Sequence, residues 1–407
     1  MRISPFVGFI ILFTNIHRGG KKLMRGRDFC SYYFKARKKS ISILTILGLF
    51  FLIISSTFSG QAKQAKQEKP LSKLIITDLL GRKVEIENKK NKRIVAIGPG
   101  ALRLVLYVNG TKNIVGIENA EKMWEEGSRT YIMAYPELKK LPVIGQGGPD
   151  SSPDPEKLIS IKPDIIFAAG FLDRAKADNL QQKTNVPVVV LDYGNKLLFD
   201  ENVYKSLKII GQIVGKNERA EELINYMQRL KGFFQSRTKE IPNNKKPKVY
   251  IGAISFKGGH GFESTWGRYF PFLAINALNV ADTSGKEGWF MVDKEKILEW
   301  NPDIIFIDEA NLEIVKQDYK KNQDFYKSLS AFKTGRVYGQ LPYNFYSTNI
   351  DTVIANTFWI AKTVYPERFK DVDPVKRADE VYKFFLGKPL YSKMAKKFGG
   401  FTKIKLD

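Results

Sequence analysis

The sequence is nearly empty of the side chains that thiol and soft-metal chemistry require. In 407 residues it has one cysteine, Cys30, and two histidines, His17 and His260. An internal disulfide is therefore excluded, and so is a cysteine-based metal site in the folded part. A multi-histidine metal centre is excluded too, because only His260 lies beyond the amino-terminal region. Acid is scarce relative to base: 66 Lys and Arg stand against 42 Asp and Glu, a net charge of +24. Residues beyond 62 carry +15 of it. Such a surplus suits a solvated basic surface, an anionic ligand or an anionic membrane surface. No basic block interleaved with aromatics and no nucleic-acid motif occurs, so no nucleic-acid partner is expected.

Residues 35–62 have the grammar of a secretory signal. Lys35, Arg37, Lys38 and Lys39 precede the apolar run Ile41–Ile54, and Gly60 and Ala62 suit cleavage after Ala62. The run is a little long for a signal, and an uncleaved membrane anchor is the alternative. No cysteine follows it, so attachment of lipid at a lipobox is not expected. Met24 is an alternative start, and no structure is assigned to residues 1–34. The expected order is an extension 1–34, a signal or anchor 35–62, a polar tether 63–73, an amino-terminal α/β lobe 74–215, a linking helix 216–242 and a carboxy-terminal α/β lobe 243–407. The expected location is periplasmic or otherwise extracytoplasmic.

The most informative feature is a duplication. Asp154-Pro-Glu-Lys-Leu-Ile-Ser-Ile-Lys-Pro-Asp-Ile-Ile-Phe167 returns as Asp293-Lys-Glu-Lys-Ile-Leu-Glu-Trp-Asn-Pro-Asp-Ile-Ile-Phe306, with eight of fourteen positions identical. Each copy reads as a short helix capped by Asp, stopped by Pro-Asp, then a strand apolar on both faces. One copy in each half predicts two similar lobes. Around the copies, residues 74–86 read as a hairpin turning near Leu80-Gly81-Arg82. Arg93–Gly98, Asn113–Ile117, Val188–Leu191 and Lys248–Ser255 read as strands, and Ala101–Val108 and Tyr269–Leu278 as helices. Between the halves, Asn217–Ile241 reads as one long helix with Asn217 as its cap and Pro242 as its stop. Pro366 and Pro374 break a helical carboxy-terminal region. The fold class is α/β: two Rossmann-like lobes with mainly parallel sheets, joined by one long α-helix.

Ligands of parallel α/β sheets bind beyond the carboxyl ends of the strands, so two such lobes define a cleft walled by those loops. The candidate ligand-binding residues on these loops are Gly100, Trp124, Phe171, Tyr193, Lys257, Gly259, His260, Arg268, Trp289, Tyr343 and Tyr346. Lys257 and Arg268 would supply charge, the aromatics stacking surface, and the glycines close approach of backbone. His260 would hydrogen-bond a chelate or ligate its metal directly. Glu118 and Glu263 are either ligands or surface acids. Gly258-Gly259-His260-Gly261 matches no phosphate-loop spacing, and no nucleophile–base pair presents itself, so no catalytic residue is assigned.

These features together resemble the class III substrate-binding proteins of ABC importers, the helical-backbone group that captures iron-siderophores, haem, cobalamin and, in some members, molybdate or tungstate. The resemblance is carried by Ile76-Thr-Asp-x-x-Gly-Arg82, Lys92–Gly98, Asn113–Ile117 and the two Pro-Asp-Ile-Ile-Phe copies, and spans about residues 74–386. It implies a monomer with a shallow cleft and limited closure, delivering a small-molecule metal complex to a membrane permease. It implies no intrinsic cofactor, since any metal (in an iron chelate, haem, cobalamin, or molybdate or tungstate) arrives with the ligand. An iron chelate is the first expectation for the ligand and an oxyanion the alternative. A chelatase-like enzyme on the same scaffold is the rival from another class. The family often has an acid at the start of the first-lobe helix, where this chain reads Gly100-Ala-Leu-Arg103, and the acids that dock the permease have no match here.

Overall fold

The computed structural model describes residues 72–123, 127–148, 151, 153–170, 173–194 and 199–406. The expectations for 1–34, for 35–62 and for most of the tether 63–73 lie outside those residues. The described part opens with the antiparallel pair β1 (Lys73–Thr77) and β2 (Lys83–Glu87), in which Ile75 stands opposite Glu85. Alternation explains the pair: Ile76, Val84 and Ile86 turn inward while their neighbours face solvent. Asp78 makes the turn, its carboxylate accepting from the amides of Leu80 and Arg82 at 3.0 and 2.9 Å. Leu79 N then donates to Val190 O at 3.1 Å, which docks the hairpin on the first sheet.

That sheet is parallel, in the order β3 (Ile94–Ile97), β4 (Ile165–Ala169), β5 (Val188–Leu191), and every residue of it is buried. Helices α1 (Ala101–Asn109), α2 (Asn119–Met123), α3 (Thr130–Ala134), α4 (Pro155–Ser160), α5 (Arg174–Thr184) and α6 (Glu201–Val214) accompany it. The second sheet is also parallel, with β6 (Lys248–Gly252), β8 (Leu278–Asn279), β10 (Ile304–Asp308) and β11 (Val337–Gln340) in the order β11-β10-β6-β8. A separate antiparallel ribbon pairs β7 (Ser264–Gly267) with β9 (Gly288–Met291). Helices α8 (Phe270–Ala274), α9 (Lys294–Trp300), α10 (Leu312–Lys321), α11 (Gln323–Ser328), α12 (Ser330–Lys333), α13 (Ile350–Val364), α14 (Pro374–Leu386) and α15 (Tyr391–Phe398) complete this lobe. Residues 402–404 return antiparallel along β11, with Ile404 N on Val337 O and Gly339 N on Thr402 O, both 2.9 Å. Among the described residues, no helix is long and apolar enough to cross a membrane.

The linking helix α7 runs Asn217–Thr238, 22 residues, or roughly 33 Å at 1.5 Å each. It buries Ala220, Leu223, Ile224, Met227, Leu230 and Phe234, the stripe the spacing predicts. Asn217 is its first helical residue, however, and Lys216 holds the cap position without a side-chain bond.

The duplication has a structural meaning beyond similarity. In the first copy Asp164 N donates to Arg93 O at 2.8 Å, and its carboxylate accepts from Arg93 N at 2.6 Å. In the second, Asp303 N donates to Lys248 O at 2.8 Å and its carboxylate accepts from Lys248 N at 2.7 Å. Each Pro-Asp thus clips an inner strand of its sheet to the first residues of a neighbour and sets the parallel register. The caps differ: Asp154 accepts from Lys157 N, whereas Asp293 sits at the cap without such a bond.

Two expected elements are corrected. Residues 113–117 form no continuous strand: Ile114 bridges Ile94 of the sheet, and Ile117 bridges Val143 outside it. Asn113 is left-handed (φ 64°), and the chain peels from β3 toward residues 142–144. The helix expected over Tyr269–Leu278 ends at Ala274, because Asn276 turns left-handed (φ 53°) and its side chain bonds Thr238 O and Lys246 Nζ.

The clip is testable. Asp303→Ala removes a charged acceptor from the start of the second sheet and should cost about 1.5–3 kcal/mol, measured as a lower denaturant midpoint at unchanged slope. A midpoint equal to that of the wild type refutes the clip.

Candidate functional site

The carboxyl ends of β3 and β5 meet at Gly100 and Tyr193. Gly100 is left-handed (φ 87°), and a Cβ there would stand 2.5 Å from the Tyr193 hydroxyl, so glycine is required. Tyr193 donates to Gly100 O at 3.0 Å and accepts from Arg103 Nη1 at 3.1 Å. Both expected residues are therefore brought together, and the tyrosine's polar end is engaged within the protein.

Arg103 is the residue that sequence reasoning noted only as a missing acid. Its side chain is fully buried on α1, a helix otherwise of apolar residues apart from its last, Asn109. Its partners lie some 240 residues away, on the loop that precedes α13. Nε donates to Asn349 Oδ1 at 3.0 Å, Nη1 to Thr348 O at 2.9 Å, and Nη2 to Phe345 O and Tyr346 O, both at 3.1 Å. Asp351 continues the contact, accepting from Tyr107 and Thr130 hydroxyls at 3.0 and 2.6 Å. A cation on a helix with an apolar interior is the one signal that flags such an internal partner.

Tyr346 crosses the same gap. Its hydroxyl donates to Glu118 Oε2 at 2.6 Å and accepts from Gly148 N at 3.1 Å. The same Glu118 oxygen accepts from Gly98 N at 2.9 Å. Burial pushes the Glu118 carboxyl up to about 7, against the opposing pull of the Tyr346 and Gly98 hydrogen bonds. Tyr346 and Ser347 both hold left-handed backbone, φ 53° and 67°, at a cost of about 1–3 kcal/mol each. Next to Glu118, Glu121 is paired with buried Arg129 at 2.6 Å. Glu118 is thus an internal acceptor at the cleft rather than a surface acid.

On the carboxy-terminal lobe, Ser255–Gly261 closes the end of β6. Trp289 stacks on Phe256 at 4.7 Å and 17°, and donates from Nε1 to Ser264 Oγ at 2.8 Å. The His260 ring lies 5.1 Å from Trp289, and its Nε2 donates to Phe256 O at 2.7 Å. The carbonyl can only accept, so Nε2 carries the proton and Nδ1 is the ring nitrogen suited to a metal. Lys257 stands exposed on this loop with a left-handed backbone (φ 52°), and a Cβ on Gly259 would press to 2.7 Å from Asn311 Oδ1. Asn344 Nδ2 donates to Ser255 O at 2.7 Å, tying the loop to the bridging segment. Lys257, Gly259, His260 and Trp289 are one cluster.

Other expected residues lie elsewhere. Tyr343 is a core residue of the carboxy-terminal lobe, fully buried, its ring 6.0 Å from Tyr269 and 5.6 Å from Phe270. Arg268 follows the Gly267–Gly288 end of the ribbon, and the Arg268 Nε pairs with Glu287 at 3.2 Å. Glu263 is engaged by Lys294 at 2.6 Å. Trp124 and Phe171 lie outside the described residues. Among the described residues, no group of three His, Cys, Asp or Glu could hold a metal ion. A metal bound by His260 would thus take its other donors from the ligand.

Residues 94–342 match the family model of periplasmic binding proteins. The chain is 26% identical to the molybdate-binding protein MolA of Haemophilus influenzae, over 77% of this chain and 91% of that protein. It is 25% identical to the uncharacterized ABC transporter substrate-binding lipoprotein YvrC of Bacillus subtilis, over 76% of this chain and 90% of that one. A crystal structure of a periplasmic solute binding protein from Veillonella parvula superposes with a TM-score of 0.66 at 23% identity, over 80% of this chain and 97% of its own. That fold has two lobes, as the two sheets here require.

Glu118 makes stability depend on pH. The folded chain holds its proton more tightly than the unfolded one, so the contribution is full below pH 4.5 and is lost as pH rises to about 7, a span worth roughly 3 kcal/mol. Asp308 and Glu309, raised by burial to about 7 and about 8, slope the same way. Glu118→Gln should flatten its own share of the decline between pH 4.5 and 7 in denaturant titrations. An unchanged slope would show that the carboxyl is not held up.

Proposed function

The chain belongs to the periplasmic binding protein family, and on that premise we propose that it is the substrate-binding protein of an ABC importer, capturing a metal-containing anionic ligand, an iron chelate, in the cleft between its lobes. The observation that carries the ligand class is the cluster on the Ser255–Gly261 loop. A half-buried indole stacked on Phe256 offers a flat apolar surface, with His260 beside it and Lys257 exposed on the same loop. A conjugated anionic chelate meets all three groups at once. Recognition of this kind captures and releases its ligand unchanged, and delivery to a membrane permease follows from family membership. The apolar segment 35–62 would export the chain and either be removed or hold it at the membrane.

A second reading, a molybdate-type oxyanion, is favoured by the similarity to MolA and by α1, whose amino terminus carries neither a side-chain cap nor an acid in its first turn. Titration with ferric chelates, haem, cobalamin and sodium molybdate, followed by tryptophan fluorescence, separates the two. Native mass spectrometry of protein purified from its own cells would identify retained cargo. Failure of all four ligands, with no cargo retained, would remove both readings.

Magnitudes rank the two main contacts. One exposed cation at 4 Å contributes about 1 kcal/mol in water, whereas a conjugated ring stacked on an aromatic side chain contributes about 1–3 kcal/mol. Trp289→Ala should therefore weaken binding of the true ligand by roughly tenfold or more. Lys257→Ala should weaken it a few-fold at low salt and hardly at all at 1 M salt. The reverse ranking would place the ligand away from the aromatic shelf.

A further inference from the structure

Two backbone amides of the amino-terminal lobe, one just past β3 and one on the loop after Val143, are already occupied by the chain itself. Gly98 N is taken by the Glu118 carboxylate and Gly148 N by the Tyr346 hydroxyl, and these two side chains bond each other at 2.6 Å. Amides on such loops are the groups a parallel sheet offers to an anion. We infer that the Glu118–Tyr346 pair is a self-occupying latch on the amino-terminal wall: an anionic ligand reaches these amides only by displacing the chain's own carboxylate and tyrosine. The inference rests on the reading of this cleft as an anion site.

Three further observations separate a latch from a permanent strut. The backbone of the segment is anchored independently, through Arg103 on Phe345, Tyr346 and Thr348 carbonyls, so the Tyr346 side chain can leave without the loop detaching. Tyr346 and Ser347 are neither glycine nor asparagine yet stand left-handed, which loads the loop in the latched position. The same segment is tied to the ligand shelf by Asn344 on Ser255 O, so events at that shelf bear on the latch. Glu118 faces Gly98 from β3, Gly147 from the loop after Val143, Tyr346 from the crossing segment and Glu121 from α2. Arg129 is spent on Glu121, leaving the burial of Glu118 to hold its carboxyl near neutrality. A charged Glu118 repels an anion; a protonated one yields the seat.

The test uses ligand-free protein first. Hydrogen exchange on wild type, Tyr346→Phe and Glu118→Gln should show the Gly148 amide exchanging about tenfold faster in Tyr346→Phe, as expected for loss of one hydrogen bond, with the β5 amides unchanged. Sodium molybdate is then titrated at pH 6 and pH 8. Wild type should bind about tenfold more weakly at pH 8, and Glu118→Gln should bind equally at both within about twofold, since a charge next to an anion is worth about a tenfold step. His260 stands on the other wall, and Glu118→Gln leaves it intact. Exchange at Gly148 unchanged in Tyr346→Phe, or accelerated together with β5, overturns the latch. If molybdate binds none of the three proteins, the oxyanion reading falls and the exchange result alone decides the latch.

Discussion

A buried guanidinium governs how the two lobes meet. Arg103 has no contact with solvent, and its donors end on the Tyr193 hydroxyl and on the carboxy-terminal segment 345–349. A charge taken out of water persists only if its hydrogen bonds are met, and removing the partners of a buried ion costs about 3–5 kcal/mol. Wide separation of the lobes at this point would strand the cation. The two lobes are therefore tied to each other at Arg103.

The two walls differ in kind. The carboxy-terminal wall presents stacked Phe256 and Trp289 with His260 beside them and Lys257 exposed on the same loop, the groups to which the proposed reading assigns an anion with a conjugated body. The amino-terminal wall presents backbone amides, and those at Gly98 and Gly148 are filled from inside by Glu118 and Tyr346. One wall is ready for a ligand and the other must be cleared. A burial-raised carboxyl near 7 makes that clearing responsive to protons.

The duplicated stretch reaches further than its helix-and-strand pattern suggests. Asp164 and Asp303 each make the same pair of backbone bonds to the strand beside them. One short stretch thus sets the register of both sheets, and with it the heights of the loops that form the cleft. Side chains alternate by face along a strand, so a slip of one residue would exchange the residues packed on the two buried faces.

Much of this was legible before any coordinates. Apolar runs such as Ile165–Phe167 and Ile304–Phe306, the long stripe of α7 and the hairpin turn after Thr77 are local, and local patterning was enough to place them, though not to exclude a strand at 113–117 or to show the β7–β9 ribbon. The grouping of Lys257, Gly259, His260 and Trp289 was also within reach, because a parallel sheet sends its carboxyl-end loops to one edge. What only tertiary structure decided was the set of contacts between residues far apart in the chain. Arg103 with Asn349, Glu118 with Tyr346 and the burial of Tyr343 depend on how the two lobes pack together. Side-chain spacing carries no record of that packing, since a buried cation and a solvated one look alike in a sequence until their partners are known.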